Sequence, residues 1–568
     1  MSSRGAPTRF LDLSPNEDVL NPLDGGQTEE LKFESLLNAH GVYETTRFLL
    51  RLSPRVHELM NSISEGPQLL SDIDSEVIKA YSTYIHETVH WWQHIGSTSG
   101  LLLSLSFLGQ THPGLGHLRK AIAKFGPYKS LKSWTDKILK SEGPTAQAKL
   151  YDANIAVNNA LDVEYYKLFA YAPKKSAPWL LQQQHFESVG HSYHIAYGHL
   201  LSMLSDTIDP TFSFLPDARA WDAPFKNLHD QRFQGHYWRS PIEVPPLGLH
   251  AIFEGQARFT QLQFLDRTHQ NSLTCDEWRT KGYLNEIYVS AFEKFLELSG
   301  SSWPETIDDP IVNLFLLVCD LAINPTVGFP FEIETFENFI FDVDVGFRFY
   351  RFSEAVKELP HLRVAIIDRS RAEYDATSEQ LTRFTGDAHP LAALAKIKSW
   401  VEESPSIQAL LEEQRTFRYD DTNIALRVLV SHFLSFSLDK LAHPEFFCWV
   451  GANLAGFDLT QRSAELWMRH LSLFTDSGDR PGVYTRQWPG RKYEDVRALV
   501  QKFYTSLVLY DLTRQWLVED GSFRIDVDWI FQSTAGDAHA WANDVFKKAY
   551  GIDLKDVRLV APSTRSER

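Results

Sequence analysis

Along most of this chain, apolar side chains recur at three- and four-residue steps, the repeat of one helix face, and only two stretches read as strands. Residues 74–95 carry the clearest helical stripe, with Val77, Tyr81, Tyr84, Ile85, Thr88, Val89 and Trp92 on one side. Asp72 or Asp74 can cap its start, and Gly96 supplies the stop. The small polar run 97–100 then leads into the apolar segment 101–108. Further helices are predicted over 154–171 and 186–204. After Pro245-Pro246, another is predicted over 249–264, where Ile252, Phe253, Ala257, Phe259 and Leu262 keep the period. One strand is expected in 43–52, which mixes β-branched, aromatic and Leu residues and ends at Ser53-Pro54. The other is expected in 339–349, where Phe339, Phe341, Val343, Val345, Phe347 and Phe349 alternate.

These elements predict a mainly α fold with a small β component, of the α+β class. Residues 1–37 are acidic and polar with Pro and Gly, lack apolar periodicity, and predict a mobile arm. Residues 38–352 hold the candidate chemistry. Helical patterning resumes over 353–561, with breaks near Pro390, Pro405, Pro444 and the loop from Pro481 to Pro489, and is treated as a separate helical region. Residues 562–568 predict a disordered tail. The connection 206–246 carries six prolines, and irregular segments of that length are often functional, here as part of a cleft wall.

Composition narrows the function classes. With 568 residues and 43% hydrophobic content, the chain can bury a core without a metal or disulfide as staple. Its three cysteines, Cys275, Cys319 and Cys448, are far apart and form no C-x-x-C pair, which suits idle thiols in a reducing compartment. A formal charge of −17 repels phosphates, so no nucleic acid partner is expected. The amino terminus lacks the apolar core of a secretory signal, which predicts a cytoplasmic protein. The most apolar stretch, 311–323, is interrupted by Asn313 and Asp320 and falls short of the roughly 20 residues that cross a bilayer. It reads as a buried helix, and no membrane partner is expected.

The chemistry sits in His86-Glu87-Thr88-Val89-His90, an H-E-x-x-H pentad inside a predicted helix. Four residues make slightly more than one turn, so both imidazoles leave the same face about 6 Å apart along the axis. They can share one Zn²⁺, with Glu87 beside them as base toward a water. A catalytic zinc takes a third protein ligand. His94 extends the row by another 6 Å of rise, too far for one ion. The alternative is Glu254, in the segment His250-Ala251-Ile252-Phe253-Glu254-Gly255-Gln256-Ala257, where an acid on an apolar helix needs a partner and Gly255 would let two helices approach closely. His250, one turn earlier, is a reserve ligand.

This segment, together with the pentad, resembles the gluzincin metallopeptidases, whose third-ligand helix carries Glu-Gly, any residue, then Ala or Thr. The resemblance implies a gluzincin-like core in which His86, His90 and Glu254 hold one catalytic Zn²⁺ and Glu87 is the general base. It covers about twenty residues. The Gly-x-Met-Glu-Asn segment with which aminopeptidases grip a substrate amino terminus is not found upstream of His86. Thermolysin-like enzymes place an Asp four residues beyond the third ligand, where this chain has Arg258, and Asp320 is an alternative source of that carboxylate. The metzincin pattern is excluded, because Gln93 and Gly96 stand where it needs Gly and His.

Amide hydrolysis also needs a donor for the developing oxyanion. The related family uses a Tyr beyond the third ligand, which points to Tyr283 and Tyr288. The cluster His191, His194, Tyr197 and His199 is another source, with His194 taken as its representative. The expectation is a zinc-dependent peptidase acting on a protein or peptide, with an amidase on a small or modified substrate, or a silent zinc-containing scaffold, as alternatives. An open, unspecific cleft would damage its host, which calls for narrow specificity, a covering segment such as 206–246, or an activating protein partner.

Overall fold

The computed structural model describes residues 41–62, 73–268, 273–455, 459–478, 482–485, 492–525, 530 and 535–560. The arm 1–37 and the tail 562–568 lie outside them. The helices that matter most are, in chain order, α1 (Ser75–Gly96), α2 (Thr98–Gly109), α3 (Tyr151–Tyr171), α4 (Val189–Ile208), α5 (Leu249–Thr268), α6 (Ile287–Ser299), α7 (Pro310–Ala322), α8 (Val345–Glu358), α9 (Ile424–Ala442) and α10 (Tyr493–Val518). Four short strands, β1 (Gly41–Glu44), β2 (Leu49–Leu52), β3 (Phe474–Thr475) and β4 (Tyr484–Thr485), form one sheet in that order. The fold is therefore mainly helical with a small sheet, as the patterning predicts.

The run 43–52 is a hairpin rather than one strand. Gly41 pairs with Leu52 and Tyr43 with Leu50, and the turn between them puts Phe48 at φ 54°. That strained position is held by packing, for Phe48 is fully buried with its ring 5.7 Å from Phe503. The alternation over 339–349 also misleads. The chain forms a helical turn at Phe339–Val343 and then α8, because the Asp344 side chain accepts a hydrogen bond from the Phe347 N–H (3.0 Å) and caps a new helix. Residues 343–349 are buried without interruption, so the two-residue period of their apolar positions carries no information about a strand face.

Helix α1 runs through the centre, and every residue from Ile85 to Gly96 is buried. Its end is fixed by contact. A Cβ on Gly100 would stand 1.8 Å from the Gln93 carbonyl oxygen, so only glycine lets α2 turn back against α1. Trp92 of α1 sits among Phe436, Phe446, Phe447 and Trp467, with ring centroids 5.1–6.0 Å away, and its indole N–H donates to the His470 carbonyl at 2.7 Å. Strand β2 pairs in parallel with β3, Leu49 opposite Phe474. Residues on both sides of position 352 thus share one hydrophobic core.

Helix α7 accounts for the stretch 311–323 and is buried along its length from Ile311. Among the described residues, no helix is long and apolar enough to cross a membrane. Cys275, Cys319 and Cys448 are free and buried.

Candidate metal centre

The pentad lies in the buried half of α1, and α5 packs along it. This contact brings Glu254 to His86 and His90, although it follows His90 by 164 residues (254 − 90) in sequence. His86 Nε2 and His90 Nε2 are 3.2 Å apart, and Glu254 Oε2 is 3.5 Å from each. With metal–ligand bonds of about 2.0–2.2 Å, a tetrahedral zinc site separates its ligand atoms by about 3.3–3.5 Å. The donor triangle therefore has the dimensions and the atom types that zinc requires. Among the described residues, this is the one group of His, Cys, Asp or Glu side chains placed to hold a metal ion.

The electrostatics of the triangle call for a positive charge. Burial pushes His86 down to about 4, against the pull of Glu254. Burial also opposes a charge on His90, but Glu254, Glu87 and Gln93 outweigh it and raise that ring to about 9. Glu254 is held well below the usual carboxylate range, as His90 and His86 overcome the cost of its burial. A carboxylate and two imidazole nitrogens facing one point is a cation-binding arrangement.

Glu87 follows His86 on the helix and faces the same cleft. Its carboxyl is pushed up to about 7 by burial, partly offset by His90 and by the Tyr43 backbone N–H that bonds to it. Gly41 closes over it. A Cβ at that position would lie 2.8 Å from Glu87 Cγ. Strand β1 thus packs directly on the candidate base, a contact that leaves no local sign in the residue pattern. The cleft has a volume of about 220 Å³, and its walls are β1, the pentad face of α1, Phe253 and Glu254 of α5, and the rings of Tyr171, His250 and Tyr288.

The remaining residues singled out from the sequence fall into two groups. Tyr288 lines the cleft, its ring centroid 5.9 Å from that of His86, with the Arg258 guanidinium 3.9 Å above its face. Tyr283 lies behind it, 5.8 Å from the same guanidinium, and does not line the cleft. His250 stacks on Tyr171 at 4.8 Å and stands 3.9 Å from Glu254 Oε1, so it flanks that carboxylate. His94 lines the cleft but is sandwiched between Tyr43 and Phe253 and shares contacts at 3.4 Å with Thr45 and Ser104.

Elsewhere the structure places residues away from the site. His194 stacks on Phe225 at 4.4 Å and faces Asp222, while His191 pairs with Asp162 and His199 with the Gly109 carbonyl. None of them, nor Tyr197, lines the cleft. Asp320 is bound to Lys440 (2.5 Å) and Tyr374 (3.0 Å) in a buried pair and orients no histidine of the pentad. Gly255 does allow a close helix approach, but toward α6 and α7, where a Cβ would meet Ala291 at 3.1 Å and Phe315 at 3.4 Å, not toward α1. The segment 206–246 contains a helix, Asp222–Asp230, and contributes no residue to the cleft wall. Tyr171, Gly41 and Gln93 are site residues that patterning alone passes over, since their roles arise from contacts across elements. No protein-family model, no curated protein and no solved structure matches this chain.

Proposed function

We propose that this protein is a zinc-dependent hydrolase of amide bonds, with a peptide as its substrate, built on a gluzincin-like constellation. The observation that carries the reading is the convergence of His86, His90 and Glu254 on one point, in a cleft whose adjacent wall carries Glu87. His86, His90 and Glu254 would hold the ion, and zinc so bound acidifies water and polarises a carbonyl.

The protein's own groups supply the rest. Glu87 lines the cleft beside the proposed ligands and is placed to take a proton from the attacking water and return it to the departing amine. The Tyr43 N–H and the close wall at Gly41 limit where its carboxyl can stand. Tyr288 and Tyr171 place phenol groups on the cleft wall as donors to a developing oxyanion. Strand β1 is paired to β2 on one side, and Gly41, Val42 and Tyr43 line the cleft, which suits an extended backbone laid alongside.

One observation favours a smaller substrate. About 220 Å³ is below the roughly 300–1,000 Å³ of sites that enclose drug-sized molecules, so a small amide or a single modified residue also fits. Product analysis by mass spectrometry, on peptide libraries and on small acyl amides, separates the two. The reading itself is tested by Glu87→Gln in zinc-loaded protein. Turnover should fall about 10²- to 10⁴-fold with metal content unchanged. Full turnover in that variant would overturn the assignment of the base.

A further inference from the structure

We infer that Gln93 is the positioning residue of the metal centre: it fixes which nitrogen of His90 is free to bind and ties the two ligand-bearing helices together. The inference rests on the zinc reading above. Its own evidence is a chain of three hydrogen bonds in which every polar atom of one buried amide is used. Gln93 is 3% exposed, and its side-chain nitrogen lies 2.9 Å from the Phe253 carbonyl oxygen and 2.9 Å from Gln256 Oε1.

The Phe253 oxygen is a backbone carbonyl and can only accept. The Gln93 amide must therefore point its NH₂ group at α5, which leaves its oxygen facing α1. That oxygen is 2.8 Å from His90 Nδ1, so Nδ1 carries the hydrogen and donates it. A neutral imidazole has one N–H, and Nε2 is then left with its lone pair directed at His86 and Glu254. The amide thus selects the ligating tautomer without adding a negative charge, the task a second carboxylate performs in many zinc sites.

The same amide sets distance. Phe253 and Gln256 bracket Glu254 in sequence, so the bonds from Gln93 grip α5 on either side of the third ligand. His86 has no equivalent, since its Nδ1 is buried with no partner among the described residues. The centre is therefore built asymmetrically, with His90 and Glu254 held by one side chain and His86 held by packing.

The test uses full-length protein stripped with a chelator and titrated with Zn²⁺ against a chromophoric competitor, and with Co²⁺ followed by its visible spectrum. Gln93→Met keeps the volume and removes all three bonds, and should weaken Zn²⁺ about 10- to 100-fold and alter the Co²⁺ bands. A merely structural glutamine would lower the melting temperature of the metal-free protein and leave affinity and spectrum alone. Gln256→Leu removes one anchor only and should give a smaller loss, which keeps the inference open to refutation if Gln93→Met does not fold. Unchanged affinity in a folded Gln93→Met, or in Gln256→Leu where that is the variant that folds, overturns the role of Gln93. No Zn²⁺ binding by the unmodified chain instead overturns the metal reading, so the two failures are distinct.

Discussion

Helix α1 presents His86 and His90 one turn apart, and helix α4 presents His191, His194 and His199 at steps of three and five. Both are buried helices with carboxylates nearby, yet their histidines meet different fates. On α4 each ring is paired off separately: His191 with Asp162 at 3.3 Å, His194 with Phe225 and Asp222, His199 with the Gly109 carbonyl at 3.0 Å. On α1 the two Nε2 atoms and Glu254 turn toward one another, and no ring-by-ring pairing uses them up. Metal-binding residue types at helical spacing are thus common to both, and convergence on a single point distinguishes one. That convergence depends on what α5 brings to α1, a property of tertiary packing.

The largest effect should come from breaking the convergence itself. Glu254→Ala removes one of the three proposed ligands, on the order of 3–4 kcal/mol of a total near 10–16, and zinc affinity should fall about 10²- to 10³-fold in competition titrations. The corresponding change at the α4 cluster, Asp162→Asn on α3 beside His191, should leave zinc affinity within about twofold. Equal losses from the two would show that the α1 cluster is no more a site than the α4 cluster.

A smaller effect should follow from moving the proposed base, Glu87, and sparing the proposed ligands. Gly41→Ala inserts a methyl group 2.8 Å from Glu87 Cγ, and the carboxyl must shift. Displacement of a reacting group by about 1 Å costs on the order of 10²-fold in rate, and turnover by the zinc-loaded variant should fall by that much with metal stoichiometry retained. Normal turnover would mean that the β1 wall does not set the position of Glu87.

How much of this could be read from residues alone differs between the two helices for a physical reason. The helices 75–96 and 249–268 were legible, as 74–95 and 249–264, because their apolar periodicity is local and Gly96 marks the end of the first. The pentad was legible because i, i+4 spacing fixes the relative direction of two side chains within one helix. Beyond a single helix the signal fails. Nothing near Gln93 announces that its acceptors lie 160 and 163 residues away, nothing near Asp320 announces Lys440, and nothing in His191 to His199 announces that Asp162, Phe225 and Gly109 will claim those rings one by one. The strand expected at 339–349 fails for a related reason. When every face of a segment is buried, as at Val343–Phe349, periodicity no longer reports direction and one capping residue, Asp344, decides the outcome.

On the α4 side the expected effect is smaller still and is read through pH. Burial, reinforced by the neighbouring His191, His199 and His236, pushes His194 down to about 3, while the exposed Asp222 lies 3.3 Å from its Nε2. In the unfolded chain the same ring titrates near 6.5. The folded state therefore stays neutral where the unfolded state takes up a proton, so this contribution to stability is complete above about pH 6.5 and is lost as pH falls toward 3. At pH 5 the loss from His194 amounts to up to about 2 kcal/mol. His199 and His236, each held near 4 chiefly by burial, act in the same direction, whereas His191, raised to about 9 by Asp162 and Glu187 against its burial, loses its contribution as pH rises from about 6.5 to 9. His194→Phe keeps the stack on Phe225 and removes the titration. Its urea midpoint should fall less between pH 7 and pH 5 than that of the unmodified chain, and its zinc affinity should be unchanged. A parallel fall in both proteins would show that His194 is not held neutral, and a loss of zinc would couple the α4 histidines to the α1 centre after all.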